Sequence, residues 1–245
     1  MEGPRKSKIV EEEIPKINEN QLLVKVKYFG MCHSEWYDWS TATPGMKFGH
    51  EPMGIVAEVG KNVTGYQVGD RVSGLGNGGY AEYITMEPWM TCHVPDAVAD
   101  EDAVAEPLSC LLSAASKMPI TIPGDPIAVV GAGYMGLGMV SLFKMKGAGK
   151  IVVVDPREEA RENALKFGAT EVYSPDNLPK EYVLGWENFG KLDMFTTGFK
   201  TVMEFSGTES GLRLAGDMVS AHGLLGIGVY HNDVDRLIDF NLWNV

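Results

Sequence analysis

The chain has 245 residues, of which 44% are hydrophobic and 29 are glycine, and its formal net charge is −12. This length accommodates two domains of ordinary size, each with a hydrophobic core. The negative charge argues against binding to nucleic acid or to an anionic membrane surface. Three cysteines are too few for a disulfide framework, so we expect a cytoplasmic protein.

Short runs that alternate apolar and polar residues dominate the first half of the chain. The clearest is Leu22–Tyr28, and similar runs at 54–59, 70–73 and 80–85 are separated by Gly, Asn and Pro. Alternation with a period of two is typical of half-buried strands. The sequence therefore predicts a β-rich domain over residues 1–120, built as a small barrel or a sandwich and ending in a helix over residues 100–118.

The second half alternates apolar strands with helices. Strands are predicted at 127–130, 151–155, 171–174, 201–205 and 224–230, and helices at 134–146 and 157–167. Strands that are apolar on both faces indicate a parallel, doubly wound sheet, which we assign to residues 121–245. The uncharged stretch Ile127–Phe143 contains four glycines and is shorter than the ~20 apolar residues of a membrane span.

A glycine-rich turn joins the first of these strands to its helix. Gly131, Gly133 and Gly136 have the spacing GxGxxG. This spacing permits a tight turn, close approach of a pyrophosphate to the backbone and close packing of helix on strand. Tyr134 and Met135 lie at the beginning of the helix, where free N–H groups and the helix dipole favour an anion. The sequence therefore predicts a dinucleotide site here.

An acidic residue at the end of the second strand indicates which dinucleotide binds. Asp155 follows the last glycine by about 20 residues, where a carboxylate accepts hydrogen bonds from the ribose hydroxyls. Because this carboxylate would repel a 2′-phosphate, NAD is favoured over NADP. Arg157 lies near enough to weaken that preference. The alternative is a structural role, in which Asp155 caps the helix that follows.

Three short segments in the first half contain potential metal ligands. They are Gly30–Glu35 (GMCHSE), Gly49–Glu51 (GHE) and Glu106–Ser109 (EPLS). None has the close cysteine spacing of a structural zinc site. Each also has an ordinary explanation: a buried cysteine, a turn, or an acidic residue at the beginning of a helix. The residues alone leave a shared metal site open.

Taken as a set, the motifs resemble the zinc-dependent medium-chain dehydrogenase/reductase superfamily. GMCHSE, GHE with GIVAEVG, VGDRV, GGYAEY, AEPLS and VVGAGYMGLG occur in that family's order. The closest resemblance is to the branch of sorbitol, threonine and glucose dehydrogenases. It implies a two-domain α/β protein, with a GroES-like β-rich catalytic domain, a Rossmann domain with a doubly wound parallel sheet, and an active site between them. It also implies a homodimer or homotetramer.

The resemblance further implies a single catalytic zinc ion. Cys32 and His50 correspond to zinc ligands, and Glu106 corresponds to a third, acting directly or through water. Glu51 corresponds to a residue beside the metal that can exchange with water. Many relatives hold a second, structural zinc with four closely spaced cysteines. The three cysteines of this chain cannot fill that lobe, so we expect one zinc ion per chain.

Other catalytic roles follow from the same resemblance. Ser34 corresponds to the hydroxyl that relays the proton of the alcohol, and His33 to a contact with a cofactor phosphate. Tyr37 stands where some relatives have the histidine that completes the relay, so the relay ends in water, Tyr37 or Asp38. Relatives continue beyond the fifth strand of the dinucleotide domain. The chain is therefore expected to be truncated at the C-terminus, without the sixth strand.

These implications lead to one leading function and two alternatives. The leading hypothesis is a zinc-dependent oxidoreductase that transfers a hydride between a secondary alcohol and NAD, the alcohol being a polyol, a sugar or an amino alcohol. Trp36, Tyr37 and Trp39 would stack on a sugar face or be core or interface aromatics. The alternatives are a truncated, non-catalytic nucleotide-binding relative and a zinc-free enzyme similar to quinone reductases.

Overall fold

The computed structural model describes residues 1–118, 120, 122–184 and 197–231. The chain separates into two compact units, Met1–Ser109 and Cys110–Val245. The division lies within a helix and precedes the boundary that we placed at residue 120. Leu111, Ala115 and Met118 explain this position, because they belong to the hydrophobic core of the second unit.

A closed antiparallel barrel of four strands forms the centre of the first unit. The strands are β1 (Leu22–Gly30), β2 (Glu51–Val59), β3 (Arg71–Asn77) and β4 (Tyr83–His93). Strand β1 pairs with β2 and β4, and β3 pairs with the same two strands. The interior of the barrel is filled by buried apolar residues of the four strands: Leu22, Val24, Val56, Val72, Ile84 and Met86. Of the two predicted architectures, the chain adopts the barrel.

Two helices begin in the first unit. Helix α1 (Glu35–Thr41), which the sequence analysis did not predict, follows β1, and α2 (Glu106–Lys117) leads into the second unit. The predicted helix over 100–118 is wrong at its start, because Asp100–Asp102 forms a separate 3₁₀ turn. The ring of Pro107 would clash with the carbonyl of Ala103 in a continuous helix, whereas proline is tolerated in a first turn.

A parallel sheet of five strands forms the centre of the second unit, in the order β7-β6-β5-β8-β9. The strands are β5 (Pro126–Val130), β6 (Lys150–Val154), β7 (Glu171–Tyr173), β8 (Phe199–Glu204) and β9 (Val219–Ile227). In the described part of this unit the α-helices are α3 (Tyr134–Met145), α4 (Glu158–Phe167) and α5 (Glu209–Asp217). Separate groups of buried residues pack on the two faces, which confirms the doubly wound prediction.

Within the described residues, none of the helices is long and apolar enough to cross a membrane. The uncharged stretch Ile127–Phe143 divides into strand β5, the glycine-rich turn and most of α3. Its apolar character reflects burial within the second unit, since Ile127, Val140 and Phe143 are almost fully buried there.

Candidate active site

A group of potential metal ligands lies at one end of the barrel. The Sγ atom of Cys32, one imidazole nitrogen of His50 and one carboxylate oxygen of Glu51 lie within 4.8 Å of one another. Cys32 follows the end of β1, and Glu51 begins β2 directly opposite Gly30. The antiparallel pairing of β1 with β2 therefore brings together the first two segments that the sequence analysis singled out.

Gly30 leaves the space that the Glu51 side chain occupies. A Cβ atom at position 30 would lie 2.0 Å from Oε2 of Glu51. Burial raises the pKa of the Glu51 carboxyl, and the negative charge of Glu106 raises it further. A nearby cation would offset both effects, because it favours the charged form of a carboxylate.

The chemistry of Cys32 also fits a cation. Burial raises the pKa of the Cys32 thiol, and hydrogen bonds with Ser34 oppose this effect without cancelling it. A thiol must lose its proton to bind a metal, and a bound Zn²⁺ drives that loss. Sulfur, imidazole nitrogen and carboxylate oxygen are the three donor types that Zn²⁺ takes from proteins. The residues present therefore fit a zinc ion.

Glu35 fixes the imidazole of His50. Its Oε1 lies 2.9 Å from Nδ1 of His50 and accepts the backbone N–H of Gly49 at 2.8 Å. Its Oε2 accepts the hydroxyl of Tyr80 at 2.7 Å. Nε2 of His50 lies 3.8 Å from Oε1 of Glu51. No role was predicted for Glu35, although it lies in the GMCHSE segment only three residues after Cys32.

The other predicted residues of the first unit lie in different settings. Glu106 is the half-buried first residue of α2, and it lies outside the group of three donors, although its charge acts on Glu51. Ser34 precedes α1 and hydrogen-bonds with Cys32. His33 is exposed in the turn before α1, and its contact with a cofactor phosphate stays a prediction.

Aromatic side chains lie on α1. The ring centroids of Trp36 and Trp39 are 5.2 Å apart, and Trp36 and Tyr37 are exposed, which excludes these two as core residues of the unit.

A cavity of about 280 Å³ borders Ser34, Asp38 and His50. A small polar ligand therefore has space beside His50.

The glycine-rich turn lies between β5 and α3 in the second unit. Gly131 has a φ of 96°, and a Cβ atom there would lie 2.5 Å from the amide nitrogen of Ser206. A Cβ atom at Gly136 would lie 1.9 Å from the carbonyl oxygen of Gly131, whereas one at Gly133 would meet no atom within 4 Å. Gly131 and Gly136 thus permit close packing, and Gly133 leaves space at the beginning of α3, before Tyr134 and Met135.

Asp155 lies directly after β6, is nearly fully buried, and accepts hydrogen bonds at both of its carboxylate oxygens. Its Oδ2 accepts the N–H of Ala132 at 2.8 Å, and its Oδ1 accepts the N–H of Arg157 at 2.9 Å. The Arg157 guanidinium binds both oxygens, at 3.0 and 2.9 Å. Burial alone would raise the pKa of Asp155, but these hydrogen bonds outweigh it and lower the pKa. Asp155 therefore has a structural role in joining these segments, but it does not make the helix cap that we weighed as the alternative, because α4 has no side-chain cap hydrogen bond.

Comparison with known protein families assigns both units. Residues 18–96 match the alcohol dehydrogenase GroES-like domain, and residues 135–242 match the zinc-binding dehydrogenase family. The chain belongs to the zinc-dependent medium-chain dehydrogenase superfamily. Zinc and a nicotinamide dinucleotide are therefore the cofactors expected of this dehydrogenase.

Individual relatives of the dehydrogenase agree with that assignment. The L-threonine 3-dehydrogenase of Caldanaerobacter subterraneus subsp. tengcongensis is 29% identical over 269 residues, covering 92% of this chain and 74% of that protein. An Escherichia coli oxidoreductase/dehydrogenase of unknown specificity is 26% identical with a TM-score of 0.81, covering 98% of this chain and 78% of its own. An alcohol dehydrogenase of Escherichia coli CFT073, solved with NADH, is 24% identical with a TM-score of 0.80, covering 99% and 79%. The last likeness shows the fold alone.

Proposed function

We propose that this dehydrogenase oxidises a secondary alcohol with NAD and one zinc ion per chain. The observation that carries the proposal is the group of sulfur, nitrogen and oxygen donors from Cys32, His50 and Glu51, which lie within 4.8 Å of one another. Glu51 supplies the carboxylate in the described arrangement, whereas the family resemblance implied Glu106 as the third ligand and Glu51 as the residue beside the metal. One thiolate and one carboxylate would neutralise Zn²⁺ and leave a position for water or substrate.

The roles of the surrounding side chains follow from their contacts. A zinc ion held by Cys32, His50 and Glu51 would act as a Lewis acid and lower the pKa of the alcohol. A nicotinamide dinucleotide held at the glycine-rich turn would accept the hydride. Glu35 orients His50, and the Ser34 hydroxyl, beside Cys32, relays the proton that the alcohol releases by accepting it and giving up its own. Because the cavity near His50 also borders Ser34 and Asp38, this proton has a polar route towards solvent.

The choice of NAD rests on Asp155. A carboxylate at the end of the second strand of a Rossmann domain accepts hydrogen bonds from the ribose hydroxyls. Arg157 occupies both oxygens of Asp155, so its side chain gives up at least one of these bonds when the ribose binds. Since 65% of the Arg157 side chain is exposed, such a movement requires little repacking.

The substrate class is a polyol, a sugar or an amino alcohol. The exposed rings of Trp36 and Tyr37 on α1 support a sugar or a polyol, because aromatic faces stack on apolar sugar faces. Similarity to an L-threonine 3-dehydrogenase supports an amino alcohol. A panel that contains L-threonine, sorbitol and glucose separates these classes.

The first test is the zinc content of the purified protein, measured by elemental analysis. We expect close to one zinc ion per chain, lost in Cys32→Ser and retained in the control Cys92→Ser. The control replaces the thiol that contacts the carbonyl of Ser73 with a hydroxyl that can make the same contact. Reduction of NAD with each alcohol of the panel, followed by absorbance, then tests turnover.

Two other outcomes would favour the alternatives. A folded protein without zinc, purified without chelator, would favour a metal-free reductase or an inactive nucleotide-binding relative. Binding of zinc and NADH without oxidation of any alcohol would indicate a non-catalytic nucleotide-binding relative.

A further inference from the structure

A buried carboxylate lies at the carboxyl end of the parallel sheet, apart from the residues discussed so far. Glu204 is the last residue of β8 and is fully buried. Its Oε2 lies 2.9 Å from Nε2 of His231, whose side chain is 11% exposed. Burial of a carboxylate costs free energy unless hydrogen bonds or opposite charge compensate for it. The hydrogen-bond partners of Glu204 therefore indicate which parts of the fold this residue stabilises.

Oxygen Oε1 of Glu204 organises the turn that follows β8. It accepts the backbone N–H of Ser206 at 2.6 Å and that of Gly207 at 3.0 Å. It also accepts the hydroxyl of Ser206. One carboxylate oxygen thus satisfies two consecutive amides and fixes the conformation of the Ser206–Gly207 turn.

This turn lies against the glycine-rich turn. Glu204 is paired with Val130 across the sheet, so the residues that follow β5 and β8 are neighbours. A Cβ atom at Gly131 would lie 2.5 Å from the amide nitrogen of Ser206. Doubly wound sheets bind ligands at the carboxyl ends of the strands where the strand order reverses, and here this place lies between β5 and β8. The Ser206–Gly207 turn therefore borders the crevice.

Oxygen Oε2 of Glu204 attaches a second segment to the same place. The segment 228–231 follows β9 and begins with the N–H of Gly228 bound to the carbonyl of Glu204 at 2.9 Å. A Cβ atom at Gly228 would lie 2.3 Å from the ring of Phe205, so the segment packs closely on the end of β8. His231 ends this segment with its contact to Glu204.

We propose that Glu204 and His231 are positioning residues for the dinucleotide. Glu204 fixes the Ser206–Gly207 turn through Oε1, and through His231 it holds segment 228–231 at the edge of the crevice. The cofactor then meets a wall that is already ordered, so binding does not have to order these segments. This inference rests on the proposed function, since it takes a nicotinamide dinucleotide as the ligand.

The test compares NADH affinity with thermal stability in matched variants. His231→Leu removes the contact to Oε2, and we expect the Kd for NADH, from fluorescence titration, to rise about tenfold. His231→Gln keeps a donor for Oε2, so its affinity should stay close to that of the wild type. Val202→Ala, a cavity in the same strand, lowers Tm and should leave NADH affinity unchanged.

Each result decides between two conclusions. Unchanged affinity in His231→Leu, or an equal loss in Val202→Ala, would overturn the inference and leave the proposed function intact. If His231→Leu does not fold, His231→Ala replaces it, because water can then hydrate Oε2. A wild-type protein that binds neither NADH nor NADPH would contradict the proposed function, and this inference with it.

Discussion

Glu35 determines which nitrogen of His50 is available to a metal. Carboxylate oxygens accept hydrogen bonds, so the contact of Glu35 with Nδ1 favours the tautomer of His50 whose hydrogen is on Nδ1. The lone pair of Nε2 is then free for a cation. The hydroxyl of Tyr80 and the N–H of Gly49 hold Glu35 in turn. Residues outside the group of donors therefore set the orientation of the His50 imidazole.

Replacement of Glu35 by glutamine should weaken zinc binding. The neutral amide oxygen accepts the Nδ1 hydrogen less strongly, and loss of such a carboxylate partner typically lowers metal affinity about 10–100-fold. Competition with a chromophoric chelator measures the effect. Tyr80→Phe is the control, because it keeps the carboxylate and removes one of its donors, and we expect a smaller loss. Equal affinities of Glu35→Gln and the wild type would contradict this role.

At position 155, one carboxylate has a structural role and, in the proposed function, also sets cofactor specificity. Asp155 binds the amide of Ala132 in the glycine-rich turn, and it binds Arg157 through backbone and side chain. The guanidinium neutralises much of the charge that would repel a 2′-phosphate. In the proposed function, discrimination between NAD and NADP therefore depends on Asp155 and Arg157 together.

Variants at these two positions should change cofactor preference in opposite directions. Asp155→Ala removes the ribose acceptor and should weaken NADH binding far more than NADPH binding. Arg157→Ala exposes the charge of Asp155 and should raise the Kd ratio of NADPH to NADH about tenfold. Fluorescence titration measures both, with Arg213→Ala, an exposed arginine of α5, as control. Equal losses for both cofactors in Asp155→Ala would refute the assignment.

At the scale of elements, the junction of β5 and α3 depends on two glycines in different ways. The carbonyl of Gly131 occupies the space where a Cβ of residue 136 would lie, so α3 could not keep its place on the turn. The space next to Gly133 is open. One glycine therefore serves packing, and the other leaves space for a ligand.

Alanine at each position should separate stability from binding. Gly136→Ala forces α3 away from the turn and should destabilise the second unit by about 1–3 kcal/mol, measured by urea unfolding. Gly133→Ala should leave stability nearly unchanged and weaken NADH binding, because its methyl group enters the space for the pyrophosphate. A reversal of the two effects would mean that the glycine roles are assigned wrongly.

Asp100 joins two strands of the barrel to the turn after β4. Its carboxylate binds Lys27 of β1 at 2.9 Å and Arg71 of β3 at 2.8 Å. Hydrogen bonds from Lys27, and then from Arg71, hold its pKa below the usual value of 3.8. A lowered pKa means that the charged form is bound more tightly in the folded state.

The resulting stabilisation should depend on pH in one direction. It is fully present above the usual pKa of Asp100 and is lost as the pH falls through the lowered pKa of the folded protein. Asp100→Asn should therefore lower Tm at pH 7, and the difference from the wild type should shrink below about pH 4. Asp96→Asn, at an exposed site, is the control. A Tm difference that does not depend on pH would exclude this linkage.

At the scale of the whole molecule, the two candidate sites belong to different compact units. The group around Cys32 and His50 lies within Met1–Ser109, and the glycine-rich turn lies within Cys110–Val245. A ligand that binds the native state stabilises the part of the structure that holds it. Each cofactor should therefore slow amide hydrogen exchange first in the unit that binds it.

Hydrogen exchange measured by mass spectrometry tests this division. Removal of zinc with a chelator should speed amide exchange in β1, β2 and α1. NADH at 100 times its Kd should slow exchange around Gly131 and the end of β8, and a stabilisation of about 2.7 kcal/mol is expected. Cys32→Ser without chelator serves as the control for metal removal. Equal protection of both units by NADH alone would show that they respond as one.

Local patterns allowed the fold to be predicted because they depend on neighbours in the chain. Alternation in Leu22–Tyr28 and the uninterrupted apolar strand before Gly131 set strand type, and Gly131, Gly133 and Gly136 placed the turn. Helix α1 was not predicted, because its seven residues, which include the exposed Trp36 and Tyr37, show no helical spacing of apolar residues. The predicted start of α2 was wrong because Pro107 is compatible with the first turn of a helix and not with its interior.

The sequence by itself determined the two classes of unit, the order of the strands, and the types of side chain available for a metal and a dinucleotide, whereas α1 and α5 were not predicted. The tertiary structure alone decided which of them meet: Glu35 with His50, Asp155 with Arg157 and Ala132, and Glu204 with His231. The physical reason is that strand type follows from burial along one segment. A hydrogen bond between distant side chains instead depends on strand register and on the packing that fixes their separation.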